Sequence, residues 1–258
     1  MKRITIGFGG FGIVLMTMLL MACKEGSAPL YRSLESEPSV QDSQDLNRDM
    51  LDSVAITNEE NRLFVSIDTL QAIATDLTGY FRATNEARWK DLLHYYPLHK
   101  TPNDSSMRNN MTNQMDEWTK RGVKNRTAAA EIMYASKVFL DGDQEVVLLN
   151  MDLLHFVEFY PNYDGPRPDG LKGMINSSYG KNNGTYKETF LAPGDSIPLK
   201  YWEVDGLSRI WAVSHVDSSH WCFLPPNFNE TGASSMMGGS AMVEALRHRR
   251  TNDPTAEK

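Results

Sequence analysis

Three ionisable side chains follow one another at a spacing of three along a predicted strand: Asp152, His155 and Glu158. Acid–base catalysis would need at least two of these groups to converge on one reacting atom. Because side chains alternate between the two faces of a strand, Asp152 and Glu158 should share one face and His155 should lie on the other. This geometry is poor for a catalytic dyad, and we predict no catalytic residue from the sequence.

A second cluster, His215, Asp217 and His220, lies at the last predicted hairpin. Paired strands would bring the two imidazoles near each other, and Zn²⁺ takes His and Asp ligands. The alternative is a solvated hairpin end, which we favour, so no metal site is predicted. The sequence contains no HExxH, GxSxG, P-loop or CxxC pattern, and we predict no cofactor.

Aromatic side chains are the remaining candidates, because pockets lined by aromatic residues and a few polar groups bind small ligands. If Asp205-Gly206 is a two-residue hairpin turn, Trp202 lies opposite Arg209, where a cation–π contact is possible. The alternation of the two strands then places Trp211 on the same face. We predict these ligand-binding residues: Tyr96, Tyr134, Trp202, Arg209 and Trp211. The alternative is that most of the aromatic residues belong to the core.

The elements that would position these residues come in a simple order, with helices first and strands after them. Helical spacing of apolar residues, with Asp68 and Gln71 resembling a capping box, predicts helices near residues 68–81, 85–96 and 104–121. Strands are predicted at 128–140 and 145–159 around the turn Asp141-Gly142-Asp143, then at 185–191, 198–204, 207–216 and 219–224, with a long loop over 161–184. This order predicts an α+β fold with N-terminal helices packed on a curved antiparallel sheet.

The first helices carry a family resemblance. Tyr80-Phe81-x-Ala83, followed by Trp89-Lys90-Asp91-Leu92-Leu93-x-x-Tyr96-Pro97, resembles the opening helices of the nuclear transport factor 2-like superfamily. The hairpin at residues 141–143 and the closing strand pair are similar to the sheet of that cone-shaped fold, so the resemblance spans residues 65–224. It implies a cavity between sheet and helices, where the superfamily's enzymes place acid–base pairs, and it implies a possible homodimer through the sheet.

The N-terminus has the form of an export signal. Lys2 and Arg3 precede an apolar run over residues 11–21, which is too short to span a bilayer and has the length of a signal-peptide core. Leu20-Met21-Ala22-Cys23 resembles the lipobox of bacterial lipoproteins, which implies cleavage before Cys23 and lipid on that residue. Lys24 follows, without an Asp to suggest retention in the inner membrane, so we expect an outer-membrane anchor. The alternatives are an ordinary secreted protein and a short interfacial helix.

The domain organisation follows from these segments: a lipoprotein signal peptide at 1–22, a lipidated Cys and polar tether at 23–62, a cone-like domain at 63–226, and a mostly disordered tail with a possible short helix at 227–258. The net charge of −7 argues against nucleic acid as a partner. The second cysteine, Cys222, lies in an apolar run and is predicted to be a buried apolar residue.

These observations lead to two functional hypotheses. The first is a lipid-anchored cell-envelope protein whose domain binds a small ligand or a protein partner without catalysis. The second is an envelope enzyme of the isomerase, cyclase or hydratase kind that uses a carboxylate or a His in its pocket. A buried carboxylate or imidazole with a shifted pKa in an open cavity would favour the enzyme.

The anchor can be tested directly. We expect Cys23→Ala to release the protein from membranes, because the acyl chains on this residue would supply the membrane affinity. Membrane fractionation of the two proteins measures this effect. If the variant stays in the membrane fraction as fully as the parent protein, the lipobox interpretation is wrong.

Overall fold

The computed structural model describes residues 51–97, 104–179, 183–190, 194–216, 218–224 and 239–253. Over these residues the protein is α+β, with five helices and an open, mixed sheet of seven strands, as the order of the predicted elements indicates. None of the described helices combines the length and the apolar character that a bilayer-spanning segment needs.

The described residues contain five α-helices and three short 3₁₀ turns. The α-helices are α1 (Ile67–Asn85), α2 (Trp89–Leu92), α3 (Asp104–Lys120), α4 (Lys172–Tyr179) and α5 (Gly239–Asn252), and the 3₁₀ turns are Glu60–Arg62, Leu93–Tyr95 and Pro168–Leu171. Helix α1 buries its predicted apolar stripe. Its cap, however, is Ser66, whose Oγ accepts the Thr69 N–H at 3.2 Å, so Asp68 lies inside the helix and is not its first residue.

The strands are β1 (Ala55–Ile56), β2 (Val123–Ala135), β3 (Phe139–Asp141), β4 (Gln144–Phe159), β5 (Gly184–Thr189), β6 (Leu199–His215) and β7 (Cys222–Leu224). Their order across the sheet is β1-β2-β4-β6-β5, with β3 beside β4 and β7 beside β6. All pairs are antiparallel except β1 and β2, which run parallel and make the sheet mixed.

The hairpin predicted at Asp205-Gly206 is wrong. Strand β6 runs through both residues without turning, and it pairs with every residue of β4 in one unbroken register in which Leu153 faces Gly206. Gly206 has a φ of 144°, which a residue without a Cβ adopts at little cost. The dipeptide that resembled a turn therefore lies within a strand, because long-range pairing with β4 outweighs the local turn preference.

Local sequence patterns predicted one turn correctly but did not predict helix α4. The hairpin at residues 141–143 is confirmed, with Asp141 paired to Gln144 and Gly142 at a φ of 63°. The segment predicted as one long loop contains helix α4 and a 3₁₀ turn. The Gly and Pro residues of this segment indicated a loop. The short helix packs on residues that are distant in sequence, and this contact could not be predicted from the local pattern.

The two faces of the sheet carry three apolar clusters. The inner face, which packs against α1, carries the α1 cluster, and it includes Leu70, Ile73, Leu77, Ile132, Leu149, Met151, Leu153 and Ile210. Farther along the same strands, the inner face carries the α4 cluster, which includes Trp118, Val157, Phe159, Ile175, Trp202 and Val204. The outer face carries the α5 cluster, which includes Val146, Leu148, Trp211, Val213, Ala241, Met242 and Ala245.

The domain extends beyond both predicted boundaries. At the N-terminal side, Leu51 and Val54 are buried in the α1 cluster and β1 joins the sheet, so residues 51–62 pack on the domain although their composition assigned them to the tether. At the C-terminal side, the predicted short helix is present as α5, and it packs on the outer face of the sheet. Residues 1–50, with Cys23 and most of the tether, lie outside the described residues.

Helix α5 buries small side chains and is held in place by polar contacts at its C-terminal end. Tyr134 Oη lies 2.7 Å from His248 Nδ1, and the Asn150 side chain donates to the Asp253 carboxylate. Arg249 Nε lies 3.4 Å from the same carboxylate. Two of the apolar contacts are alanines, each of which buries little area, so these polar contacts should contribute much of the docking free energy.

We therefore expect Asp253→Ala to loosen α5 without unfolding the sheet. The substitution removes the acceptor of a buried amide, at a cost of about 1–3 kcal/mol. Hydrogen exchange measured by mass spectrometry should show faster exchange in residues 239–252 and unchanged exchange in α1. The exposed Glu244→Ala on the same helix is the matched control. Equal protection of α5 in both variants would show that the apolar contacts alone hold the helix.

Candidate functional site

A polar layer, partly buried, lies between the two apolar clusters of the inner face. On β4, His155 lies between Leu153 of the α1 cluster and Val157 of the α4 cluster. On β6, the residue that faces His155 is Val204, which belongs to the α4 cluster, so the polar residues do not continue onto this strand. We use the name polar layer for the buried Thr127 and His155 together with three half-buried residues, Asn85, Gln114 and Asn125.

Asn85, at the end of α1, fixes the helix to the sheet. Its Nδ2 donates to the Thr127 carbonyl at 2.9 Å, and its Oδ1 accepts the Thr127 N–H at 2.8 Å. The side-chain amide thus completes the backbone hydrogen bonds of β2 as a neighbouring strand would. The register of β2 against β4 shifts between Thr127 and Ala129, so this contact lies beside a β-bulge.

His155 and Thr127 face each other across β4 and β2. His155 Nδ1 lies 2.9 Å from Thr127 Oγ1, and both side chains are buried. Burial lowers the pKa of His155 to about 4, and the positive charge of Arg126 adds to this shift. The imidazole is therefore neutral at pH 7.

Helix α3 and strand β2 contribute two further amides. Gln114 lies three residues after Met111 of the α1 cluster and four before Trp118 of the α4 cluster, so it belongs to the helix face that packs on the sheet. Asn125 faces Val157 in the strand register. Gln114 Oε1 and Asn125 Oδ1 are both buried, and neither accepts a hydrogen bond from any described residue.

The chemistry that this layer offers is hydrogen bonding by neutral groups. Its described members are three amides, one hydroxyl and one neutral imidazole, with no carboxylate, ammonium or guanidinium among them. The charged pairs of the same strands lie on the outer face, where Arg126 Nε donates to Glu158 Oε1 at 2.9 Å and Lys187 Nζ to Glu203 at 3.1 Å. The layer suits an uncharged polar group buried between apolar surfaces.

The five predicted ligand-binding residues do not form one site. Tyr96 is buried in the α1 cluster, and Trp202 in the α4 cluster, where its Nε1 donates to the Pro168 carbonyl at 2.8 Å. Tyr134, Arg209 and Trp211 belong to the outer face, near or beneath α5. The predicted contact between Trp202 and Arg209 is absent, because the two residues lie seven positions apart on one continuous strand.

Asp152, His155 and Glu158 lie on the faces of the sheet that strand alternation predicts. Asp152 is exposed on the outer face, Glu158 is paired with Arg126 on that same face, and His155 points into the polar layer. Strand alternation predicts the face of His155 correctly, but nothing in the sequence indicates its partner Thr127. The two residues belong to strands joined only by tertiary pairing, and no sequence motif marks the contact.

The two histidines considered as metal ligands at the last predicted hairpin contact different acidic residues in the structure. His215 Nδ1 lies 3.4 Å from Asp143, whereas His220 Nδ1 lies 3.3 Å from Asp76 and its Nε2 lies 3.0 Å from the His94 carbonyl. Asp217 lies outside the described residues. No group of three His, Cys, Asp or Glu side chains among those described is placed to hold a metal ion.

Burial raises the pKa of Cys222 to about 11, so this thiol is protonated at pH 7.

Comparison with known proteins adds no relative: no protein-family model, no curated protein and no solved structure matches this chain. The resemblance to the nuclear transport factor 2-like superfamily therefore stays a prediction.

The burial of His155 predicts a specific loss of stability in acid. Its pKa is about 4 in the folded protein and 6.5 in the unfolded chain, so the unfolded chain binds the proton first as the pH falls. The free energy of unfolding should decrease between pH 6.5 and pH 4, by about 3 kcal/mol from this group.

Urea unfolding at several pH values measures this effect. His155→Gln should show a smaller decrease over the same range, whereas the exposed His94→Gln should behave like the parent protein. Equal pH dependence in all three proteins would mean that His155 is protonated in the folded state at pH 5.

Proposed function

We propose that this protein is a lipid-anchored component of a bacterial cell envelope that binds a small ligand in the polar layer without catalysis. The observation that carries the proposal is the layer itself, a belt of buried polar groups inside an otherwise apolar contact between helices and sheet. Burying polar groups costs free energy unless they find partners, and a purely structural interface would be more stable if apolar. A bound ligand supplies partners to such groups.

Binding fits the chemistry of the layer better than catalysis does. The enzyme hypothesis requires a carboxylate or imidazole in the site, and His155 is the one described group of this kind there. A base with a pKa of about 4 accepts a proton weakly at neutral pH, whereas efficient general bases have pKa values near the working pH. An isomerase, cyclase or hydratase activity that uses His155 is therefore the second candidate.

A protein partner is supported less directly. The exposed large apolar residues, such as Phe64, Leu140, Ile197 and Val216, lie on separate elements. A homodimer through the sheet would have to use the part of the outer face that α5 leaves open, where Glu131, Asp152 and Leu207 form one row across three strands. Two such rows would oppose like charges, which disfavours a symmetric contact there.

The membrane part of the proposal rests on the N-terminal sequence. Cys23 would carry the lipid, and the residues up to Leu51 would connect it to the folded domain. Such an anchor would hold the binding site near the outer membrane, on its periplasmic or its surface side.

The binding site can be tested with a fragment library. We expect ligand-detected NMR to identify fragments that bind the full-length protein and lose most of their binding to Asn125→Leu, since leucine removes a buried amide and fills its space. Asn113→Leu, on the exposed side of α3, is the control and should bind like the parent protein. If no fragment binds, or if Asn125→Leu binds every fragment as the parent does, the polar layer is not a ligand site.

A further inference from the structure

The ligand must bring hydrogen-bond donors to the polar layer. Gln114 Oε1 and Asn125 Oδ1 are buried oxygens that no described residue satisfies, and they lie on α3 and β2, two elements in contact with each other. An amide oxygen only accepts hydrogen bonds. Leaving such an oxygen unsatisfied destabilises the ligand-free protein, so a group that donates to it strengthens binding.

The ligand must also be uncharged at this point. No described member of the layer carries a charge at pH 7, because burial keeps His155 neutral. An ion would lose its hydration without gaining a counter-charge, and this loss is far larger than that of a neutral polar group. The ion pair of Arg126 with Glu158 lies on the other face of the sheet and is already formed.

The surroundings of the layer define the rest of the molecule. The α1 cluster lies on one side of the layer and the α4 cluster on the other, and both contain aromatic and aliphatic side chains. A ligand that reaches the layer therefore contacts apolar surface at both ends of its polar group. We infer that the polar layer selects an uncharged molecule with an apolar framework and at least one hydroxyl or N–H donor, such as an alcohol or a phenol.

This inference rests on the proposed function. Four small aromatic probes test the chemical class of the ligand separately from the existence of the binding site. Phenol is neutral and has one donor, anisole is neutral and has none, benzoate is an anion, and benzylamine is a cation at pH 7. Titrations of the full-length protein, followed by NMR, give a Kd for each probe. We expect phenol to bind about fivefold more tightly than anisole, since one hydrogen bond contributes about 1 kcal/mol. Neither benzoate nor benzylamine should bind the layer.

A substitution tests whether the buried oxygen of Gln114 causes the preference for phenol over anisole. Gln114→Met keeps the length of the side chain and removes the orphan acceptor, so the protein should fold and phenol should bind with the affinity of anisole. Gln71→Met makes the same chemical change at an exposed position of α1 and should retain the preference. Unfolding of Gln114→Met is checked by thermal denaturation, and Asn125→Leu replaces it if its melting temperature falls.

The outcomes separate the inference from the proposed function. If benzoate or benzylamine binds in the layer as tightly as phenol, the inference that the ligand is uncharged is wrong. If anisole binds the parent protein as tightly as phenol, the inference that the ligand donates a hydrogen bond is wrong. In both cases the layer still binds a ligand, so the proposed function is unaffected. If phenol keeps its advantage in Gln114→Met, the oxygen of this residue does not select the ligand. If neither the probes nor any library fragment binds, the proposed function fails together with the inference.

Discussion

The continuous pairing of β4 with β6 is the constraint on which the rest of the structure depends. Every residue of β4 has a partner on β6, and the register does not shift along the pair. All three apolar clusters include residues of both strands. Since a slip of one residue would exchange the two faces, this register fixes which side chains meet α1 and which meet α5. The same register places His155 of the polar layer on the inner face.

Strict alternation along these strands also separates charge from neutral polarity. The ion pairs of Arg126 with Glu158 and of Lys187 with Glu203 lie on the outer face, while the polar groups between the inner clusters are neutral. The guanidinium of Arg126 also lies over the ring of Phe156, 4.3 Å from its centroid. Its charge acts through the sheet, because it helps to keep the pKa of His155 low on the opposite face. The outer face thus influences the electrostatics of the inner one without contributing a residue to it.

Polar side chains join the helices to the sheet at positions where apolar packing would not fix an orientation. Asn85 binds the N–H and the carbonyl of Thr127, and in doing so sets the end of α1 against β2 beside a bulge. Asn150 and Tyr134 do the same for α5 through Asp253 and His248. Such contacts contribute modest net stability but penalise alternatives, because a displaced partner leaves a buried polar group unsatisfied. They give the domain a defined arrangement of helices around its sheet.

The sequence by itself determined the fold class, the positions of α1 and α3, the turn at residues 141–143 and the separation of His155 from Asp152 and Glu158. Each depends on a local period or a local turn preference. It predicted a hairpin at Asp205-Gly206, and with it a contact between Trp202 and Arg209 that the continuous strand β6 does not allow. The tertiary structure alone decided that β6 runs straight through, that Thr127 meets His155, and that Gln114 of a helix faces the same layer as Asn125 of a strand. Pairing between strands that are distant in sequence outweighs a two-residue turn signal. The neutral polar groups of the layer come from different elements, so no fixed spacing in the sequence marks them.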